Sequence, residues 1–190
     1  MYLFFCYTVS MLEPFQSAIL GGGCFWCLEA VFKLVKGVSH VQSGYTGGHV
    51  QHPSYDDICT GETGHAEVVR IEFDSAVITF DELLDIFWKI HDPTTMNRQG
   101  NDRGTQYRSA IFFIDENQKK AAVESRVSAE RKKIWPNPIV TEIVPLDIFY
   151  PAEDYHDNYY ERNRMANPYC IYVIDPKVKK MQEHFKQQLK

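Results

Sequence analysis

The segment Gly21-Gly22-Gly23-Cys24-Phe25-Trp26-Cys27 gathers the residue types best suited to chemistry in this 190-residue sequence. A short apolar run, Ala18–Leu20, ends in the glycines and reads as a buried strand. Beyond it, Leu28, Val31, Phe32 and Val35 recur at helical spacing, which predicts a helix over 24–35. Cys24 therefore falls where a strand gives way to a helix. Free N–H groups and the positive end of the helix dipole favour an anion there, so the thiol is expected to ionise more readily than a free cysteine. Cys27 lies one helical turn on, close enough to close a disulfide. The glycines allow a tight turn and a close approach of substrate. Phe25 and Trp26 would wall a pocket for an apolar group. Two plainer readings compete: an inert buried thiol, and half of a zinc site, for which the sequence offers no second Cys-x-x-Cys or His-x-x-x-His.

The five cysteines, Cys6, Cys24, Cys27, Cys59 and Cys170, are odd in number and irregularly spaced. That does not read as a secreted disulfide framework, and a Cys-x-x-Cys in a reducing compartment is more often catalytic than a staple. Cys59 reads as a buried structural thiol and Cys6 as incidental. With 44% hydrophobic and 24% charged residues the composition is that of an ordinary globular chain. The expectation is a single domain over 1–190, with a core at about 17–165, an N-terminal extension over 1–16 and a C-terminal tail over 166–190. A net charge of −5 without a basic stripe argues against a nucleic-acid partner. The apolar stretch Met1–Val9 carries no positive charge and is too short to span a bilayer. Met11 is an alternative start, and the chain is expected to be cytoplasmic and monomeric, with no membrane partner.

The elements that must position the cysteines follow from periodicity. Val38–Tyr45 is a second strand candidate, beyond a stop at Gly37. In Glu67–Phe73, Val69, Ile71 and Phe73 alternate with Val68, Arg70 and Glu72, a strand with one apolar face. A helix over Phe80–His91, a long polar loop over 92–106 and a strand over Ser109–Ile114 come next. The order β-α-β-β-α-β is that of the split βαβ, ferredoxin-like arrangement, and the fold class is α+β. A helix over Glu116–Lys133, a strand near Ile139–Val144 and a helix over Pro176–Leu189 complete the prediction as C-terminal extensions.

Gly22-Gly23-Cys24-Phe25-Trp26 resembles the signature of the peptide methionine sulfoxide reductase A family. Further blocks resemble that family in order: Gly44-Tyr45-Thr46-Gly47-Gly48, Pro53-Ser54-Tyr55, Gly64-His65-Ala66-Glu67 and the run from Asn101 to Ser109. Together they cover roughly residues 18–165. The resemblance implies a two-layer α/β sandwich on the ferredoxin-like core and reduction of methionine S-sulfoxide. Cys24 would be the nucleophile, and Glu67 the general acid, which requires a carboxyl held protonated by burial.

The resemblance also implies that Tyr55 and Tyr107 donate to the sulfoxide oxygen, that Asp102 is a pocket residue, and that Phe25 and Trp26 receive the methyl group on sulfur. A sulfenic acid on Cys24 would condense with a resolving thiol, Cys27 or alternatively Cys170. Thioredoxin would reset the enzyme, and neither cofactor nor metal is implied. The segment Phe149–Tyr160, with its tyrosines, Glu153 and Asp154, would border the site, while His156 is assigned no role. Three rivals stand beside this reading: a thioredoxin-like exchanger using Cys24 and Cys27, a hydrolase with a Cys24–His65–Asp102 triad, and a zinc-held interaction module.

Overall fold

The computed structural model describes residues 15–190, so Cys6, Met1–Val9 and the question of Met11 lie outside the described residues. Alternation along β3 (Ala66–Asp74) sets the frame. Val69, Ile71 and Phe73 point into the main core. Ala66 and Val68, on the opposite face, join a smaller cluster with Ile19, Ala110 and Phe112 under Val144, Leu146 and Phe149. β1 (Phe15–Gly22) and β2 (Val38–Thr46) flank β3 antiparallel, and β6 (Ser109–Phe113) pairs antiparallel with β1. The order β6-β1-β3-β2, with α1 (Phe25–Phe32) after β1 and α3 (Phe80–Ile90) after β3, is the expected split βαβ core of an α+β fold. β7 (Glu142–Pro145) extends it parallel to β6, and β8 (Tyr150–Pro151) pairs with β2.

Several elements differ from their predicted limits for local reasons. The first strand continues through Gly21 and Gly22, which pair with Ala110 and Ser109. The missing side chain at Gly22 lets α3 press on the strand: a Cβ there would lie 3.0 Å from the Phe87 ring. α1 stops at Phe32 and is buried at seven of its eight positions, not amphipathic. Its outer face is covered by α5 (Tyr159–Asn163) and α6 (Asp175–His184), elements more than a hundred residues away. The C-terminal helix is shorter than predicted. A π-helical turn over Cys170–Ile174 precedes it, and the chain then turns so that Leu189 bridges to Val35. The strand expected from Ile139 begins at Glu142, because the Val140 N–H is given to the Pro93 carbonyl instead of to β6.

Two short elements had no periodic signal. The long polar loop holds a tight hairpin of β4 (Arg98–Gln99) and β5 (Asp102–Arg103). α2 (Tyr55–Cys59) is a five-residue helix that exists through its cap: the Ser54 hydroxyl accepts from the Asp57 N–H while Asp57 accepts from the Ser54 N–H. The same reciprocal cap, Thr79 with Glu82, starts α3. α4 (Glu116–Arg131) lies on α3, fixed by the Trp88 indole N–H donating to Ser125 Oγ at 2.8 Å.

Candidate active site

Strand parity carries Glu67 to the helix side of the sheet at the head of β3, opposite Tyr45 of β2. Cys24 caps α1 just beyond the end of β1. The two meet at the helix N-terminus, where the Phe25 N–H donates to Glu67 Oε2 at 3.0 Å. Glu67, Cys24 and Cys27 are 2%, 5% and 0% exposed. This corrects the expectation of an easily ionised Cys24. The helix end is present, but the carboxyl has taken its first N–H and water is gone. Burial therefore holds the Cys24 thiol well above the ordinary range, with its hydrogen bond to Cys27 and the nearby Glu67 pushing the same way. Cys27 moves oppositely, down to about 7, drawn down first by its interaction with the Cys24 thiol and then by the nearby positive charge of Lys177, against the upward push of burial. Glu67 is pushed up to about 8 by burial, against the pull of the Phe25 N–H, with Asp102 and Cys27 raising it further. Near neutral pH the carboxyl keeps its proton, and of the two thiols Cys27 is the readier to ionise.

Around this centre stand the aromatic residues picked out by sequence. Phe25 is fully buried, its ring centroid 5.8 Å from that of Tyr45 and 4.9 Å from that of His156. Trp26 is half-buried and stacks on Tyr159 at 3.6 Å and 5°. Tyr55 leads α2, its N–H donating to Glu153 Oε1 at 2.8 Å. Tyr107 is half-buried within the electrostatic reach of Glu67, Cys24 and Asp102. Burial raises both phenols, so they remain O–H donors at neutral pH. Asp102 accepts a hydrogen bond from Tyr169 at 2.7 Å. Tyr169 also lies within electrostatic reach of Cys24 and Cys27, and the C-terminal segment packs on α1. The structure thus brings Cys24, Cys27, Glu67, Phe25, Trp26, Tyr55, Asp102 and Tyr107 together. Cys170 is buried nearby and acts on Cys27 only through its field. Cys59 is exposed at the end of α2, because so short a helix buries only Ile58; it is not the buried structural thiol expected.

Residues that sequence left without a role complete the walls. His156 Nδ1 accepts the Trp26 indole N–H at 3.0 Å. Glu153 accepts from the Tyr45 hydroxyl at 3.0 Å as well as from the Tyr55 N–H. The aromatic-acidic run 149–160 was the available signal, and nothing in it separated His156 from its neighbours. His65 is occupied elsewhere: Nδ1 accepts the Gly48 N–H at 3.1 Å and Nε2 donates to the Val50 carbonyl at 2.7 Å. It is a clamp on the 48–50 loop and cannot serve as the base of a triad. Among the described residues no group of three or more His, Cys, Asp or Glu side chains is placed to hold a metal, and no helix is long and apolar enough to cross a membrane.

The Trp26 bond fixes the charge state of His156. A protonated imidazole carries hydrogen on both nitrogens and cannot accept, and burial lowers the affinity of His156 for that proton. Its stabilisation is present above the usual histidine range and lost as pH falls below it. His156→Leu should cost about 1–2 kcal/mol in urea unfolding near neutral pH and should flatten the acid-side loss of stability. An unchanged acid slope would place that loss in another group.

The arrangement can supply a soft nucleophile, an adjacent carboxylic acid and several O–H donors around one apolar wall. Comparison with known proteins points the same way. The family model described as peptide methionine sulfoxide reductase matches residues 16–189. The peptide methionine sulfoxide reductase MsrA of Saccharolobus solfataricus is 56% identical over 175 residues, covering 92% of this chain and 97% of that protein. The reduced form of Mxr1 from Saccharomyces cerevisiae superposes with a TM-score of 0.76 at 36% identity, covering 81% of this chain and 88% of that one. The same yeast protein in complex with Trx2 matches with a TM-score of 0.55 at 26% identity, covering 79% and 91% of the respective chains.

Proposed function

The chain belongs to the peptide methionine sulfoxide reductase A family, whose activity is that of a peptide-methionine (S)-S-oxide reductase, and we propose that Cys24 and Glu67 carry that reaction. The observation behind the proposal is one contact: the buried Glu67 carboxyl bonded to the first N–H of α1, next to Cys24, in surroundings that push its pKa up to about 8.

A sulfoxide has an electrophilic sulfur and a basic oxygen. Its oxygen would take the Glu67 proton and hydrogen bonds from Tyr55 and Tyr107, and its methyl group would lie against Phe25 and Trp26. Cys24 passes its proton along the existing hydrogen bond to Cys27 as its sulfur attacks. The oxygen, now carrying the Glu67 proton, moves from the substrate sulfur to the Cys24 sulfur: one sulfur–oxygen bond forms on Cys24 as the other breaks, methionine leaves, and Cys24 is left as a sulfenic acid. Cys27 then attacks the Cys24 sulfur, and the hydroxide departs as water with the proton that Cys27 gives up. Atoms and charge balance: one thiol, one thiolate, the protonated Glu67 carboxyl and a sulfoxide become a disulfide, a sulfide, water and a Glu67 carboxylate that must regain its proton from solvent.

Cys27 is favoured over Cys170 as the resolving thiol because it sits one helical turn from Cys24, its N–H bonded to the Cys24 carbonyl at 3.1 Å. A Cys-x-x-Cys pair across one helical turn also lies within the reach of a disulfide. Asp102 and Tyr169 would hold the substrate backbone or a water in place. The complex of yeast Mxr1 with Trx2 supports a thioredoxin as the dithiol that reduces this chain's disulfide. Protein-bound and free methionine S-sulfoxide are both proposed substrates, with no cofactor required. Four free thiols among the described residues suit a monomeric enzyme of the reducing cytoplasm.

The test uses the fully reduced protein, excess methionine sulfoxide and no reductant. One equivalent of methionine, a Cys24–Cys27 disulfide by peptide mapping and no product from Cys24→Ser are expected. A Cys24–Cys170 disulfide would transfer the resolving role to Cys170. No methionine from folded protein would sink the reading.

A further inference from the structure

Glu29, in the middle of α1, is a carboxylate only 1% exposed that takes no part in the sulfoxide chemistry. Trp26, Glu29 and Lys33 follow one another at helical spacing, so they lie on one face of α1. One oxygen of Glu29, Oε1, accepts twice: from the Lys33 ammonium at 2.8 Å and from the Asn158 N–H at 2.9 Å. Lys33 in turn donates to Asn158 Oδ1. Asn158 is thus held by its backbone and by its side chain against the same face. Its backbone is left-handed (φ 55°, ψ 31°), a conformation that asparagine adopts more readily than most residues, and its side chain does not cap α5.

The residues on either side of this grip are the partners of Trp26. His156, just before it, accepts the indole N–H at 3.0 Å, and Tyr159, just after it, stacks on the indole face with 3.6 Å between ring centroids. Edge and face of the ring are therefore set by a segment that Glu29 ties to the helix. Stability does not account for the carboxylate, since a buried ion pair often stabilises no more than apolar side chains of the same volume. An apolar residue at position 29 would fill the space but leave the Asn158 N–H without its acceptor. What the carboxylate supplies is the course of the segment across α1.

We propose that Glu29 is a positioning residue of the substrate pocket, setting the plane of Trp26 through Asn158 and so the fit of the methyl group on the sulfoxide sulfur. The proposal rests on Trp26 as part of that methyl wall. Its working part is the acceptor oxygen at full reach, not the charge. Glu29→Gln keeps that oxygen and loses the charge. Glu29→Asp keeps the charge and draws the oxygen back by about 1.5 Å, the length of one carbon–carbon bond. A latch and a plain ion pair therefore predict opposite orders for the two variants.

Two measurements on wild type, Glu29→Gln and Glu29→Asp decide between them. The first is solvent exchange of the indole N–H protons, followed by NMR without substrate. The Trp26 signal is assigned by its loss in Trp26→Phe. Trp88, bonded to Ser125, and Trp135, bonded to the Trp88 carbonyl, report on the rest of the fold. The second is single-turnover reduction of methionine sulfoxide and of ethionine sulfoxide over a range of concentrations, without reductant. In Glu29→Asp the Trp26 proton exchanges about tenfold faster, and half-saturation by methionine sulfoxide rises about tenfold while the maximal rate stays within about threefold. The preference for the methyl over the ethyl sulfoxide narrows about tenfold. Glu29→Gln stays within about twofold of wild type in every reading. The reverse order would make the charge the working part and overturn the proposal, as would wild-type behaviour in both variants or equal disturbance in both. Loss of the Trp88 and Trp135 signals in Glu29→Asp would make Glu29 a folding residue and overturn it too. No product from folded wild type would sink the active-site reading and the pocket role with it, whereas a wrong order among the variants leaves that reading standing.

Discussion

Glu67→Gln should lower the rate of methionine release by about 10²–10⁴-fold and remove the alkaline limb of its pH profile. The substitution keeps the volume and an oxygen that can accept the Phe25 N–H, so the helix start survives; what is lost is the acid proton. In the wild type that proton is held up to about pH 8 because burial outweighs the Phe25 bond. Above that value the wild-type rate should fall for two reasons. The donor is gone, and the new negative charge further opposes ionisation of Cys24. The variant has no such limb and changes only with the thiols. Single-turnover release measured from about pH 5 to about pH 10 decides the matter. A variant within tenfold of wild type at neutral pH would remove Glu67 from the role of acid.

The same substitution should change stability in the opposite sense. The native state holds the Glu67 proton up to about 8, whereas an ordinary carboxyl releases it near 4.5. Between those values the folded protein binds more proton than the unfolded one. The associated stability is fully present below the ordinary value and is lost as pH rises to 8 and beyond. At a pH above both values the loss is at most a few kcal/mol. Glu67→Gln removes it, so the variant should be the more stable protein at pH 8 and the less pH-sensitive one throughout. The catalytic carboxyl is thus kept at a cost in stability.

Glu67 also shows which parts of the site were legible. Period-two alternation put it on the same side as Val69, Ile71 and Phe73, and the sheet keeps it there. The split βαβ order was equally readable, because β3 and α3 announce their buried faces by period, even though α1 is buried nearly all round. The behaviour of Cys24 was not. Helix geometry argues for an anion, but the shift is set by burial and by Glu67, and the C-terminal elements that pack on α1 lie some 140 residues away in sequence. Periodicity cannot say that Tyr159 will stack on Trp26 or that Tyr169 will reach Asp102. Cys59 departs from expectation for a related reason. An apolar sulfur has no face of its own, and its exposure follows from a short helix held only by the Ser54–Asp57 cap.

The Cys24–Cys27 pair carries the second large effect. Cys27→Ser should still release methionine once per enzyme, while thioredoxin-driven turnover falls on the order of a hundredfold. The first release should itself slow at neutral pH, because the variant lacks the thiolate that accepts the Cys24 proton. Cys24 must then ionise alone, against burial and Glu67, so its rate should climb with pH where the wild type is flat. The sulfenic acid should persist, react with dimedone and, under peroxide, pass on to sulfinic acid. The competing path runs through Cys170. That thiol is buried and influences Cys27 through its field, but reaching Cys24 would require the π-helical turn over Cys170–Ile174 to shift toward α1. Comparing Cys27→Ser with Cys27→Ser/Cys170→Ser separates the cases. If the second substitution changes nothing, Cys27 resolves alone. If it abolishes a residual turnover and a Cys24–Cys170 disulfide, the C-terminal segment moves during the cycle and Tyr169 leaves Asp102 with it.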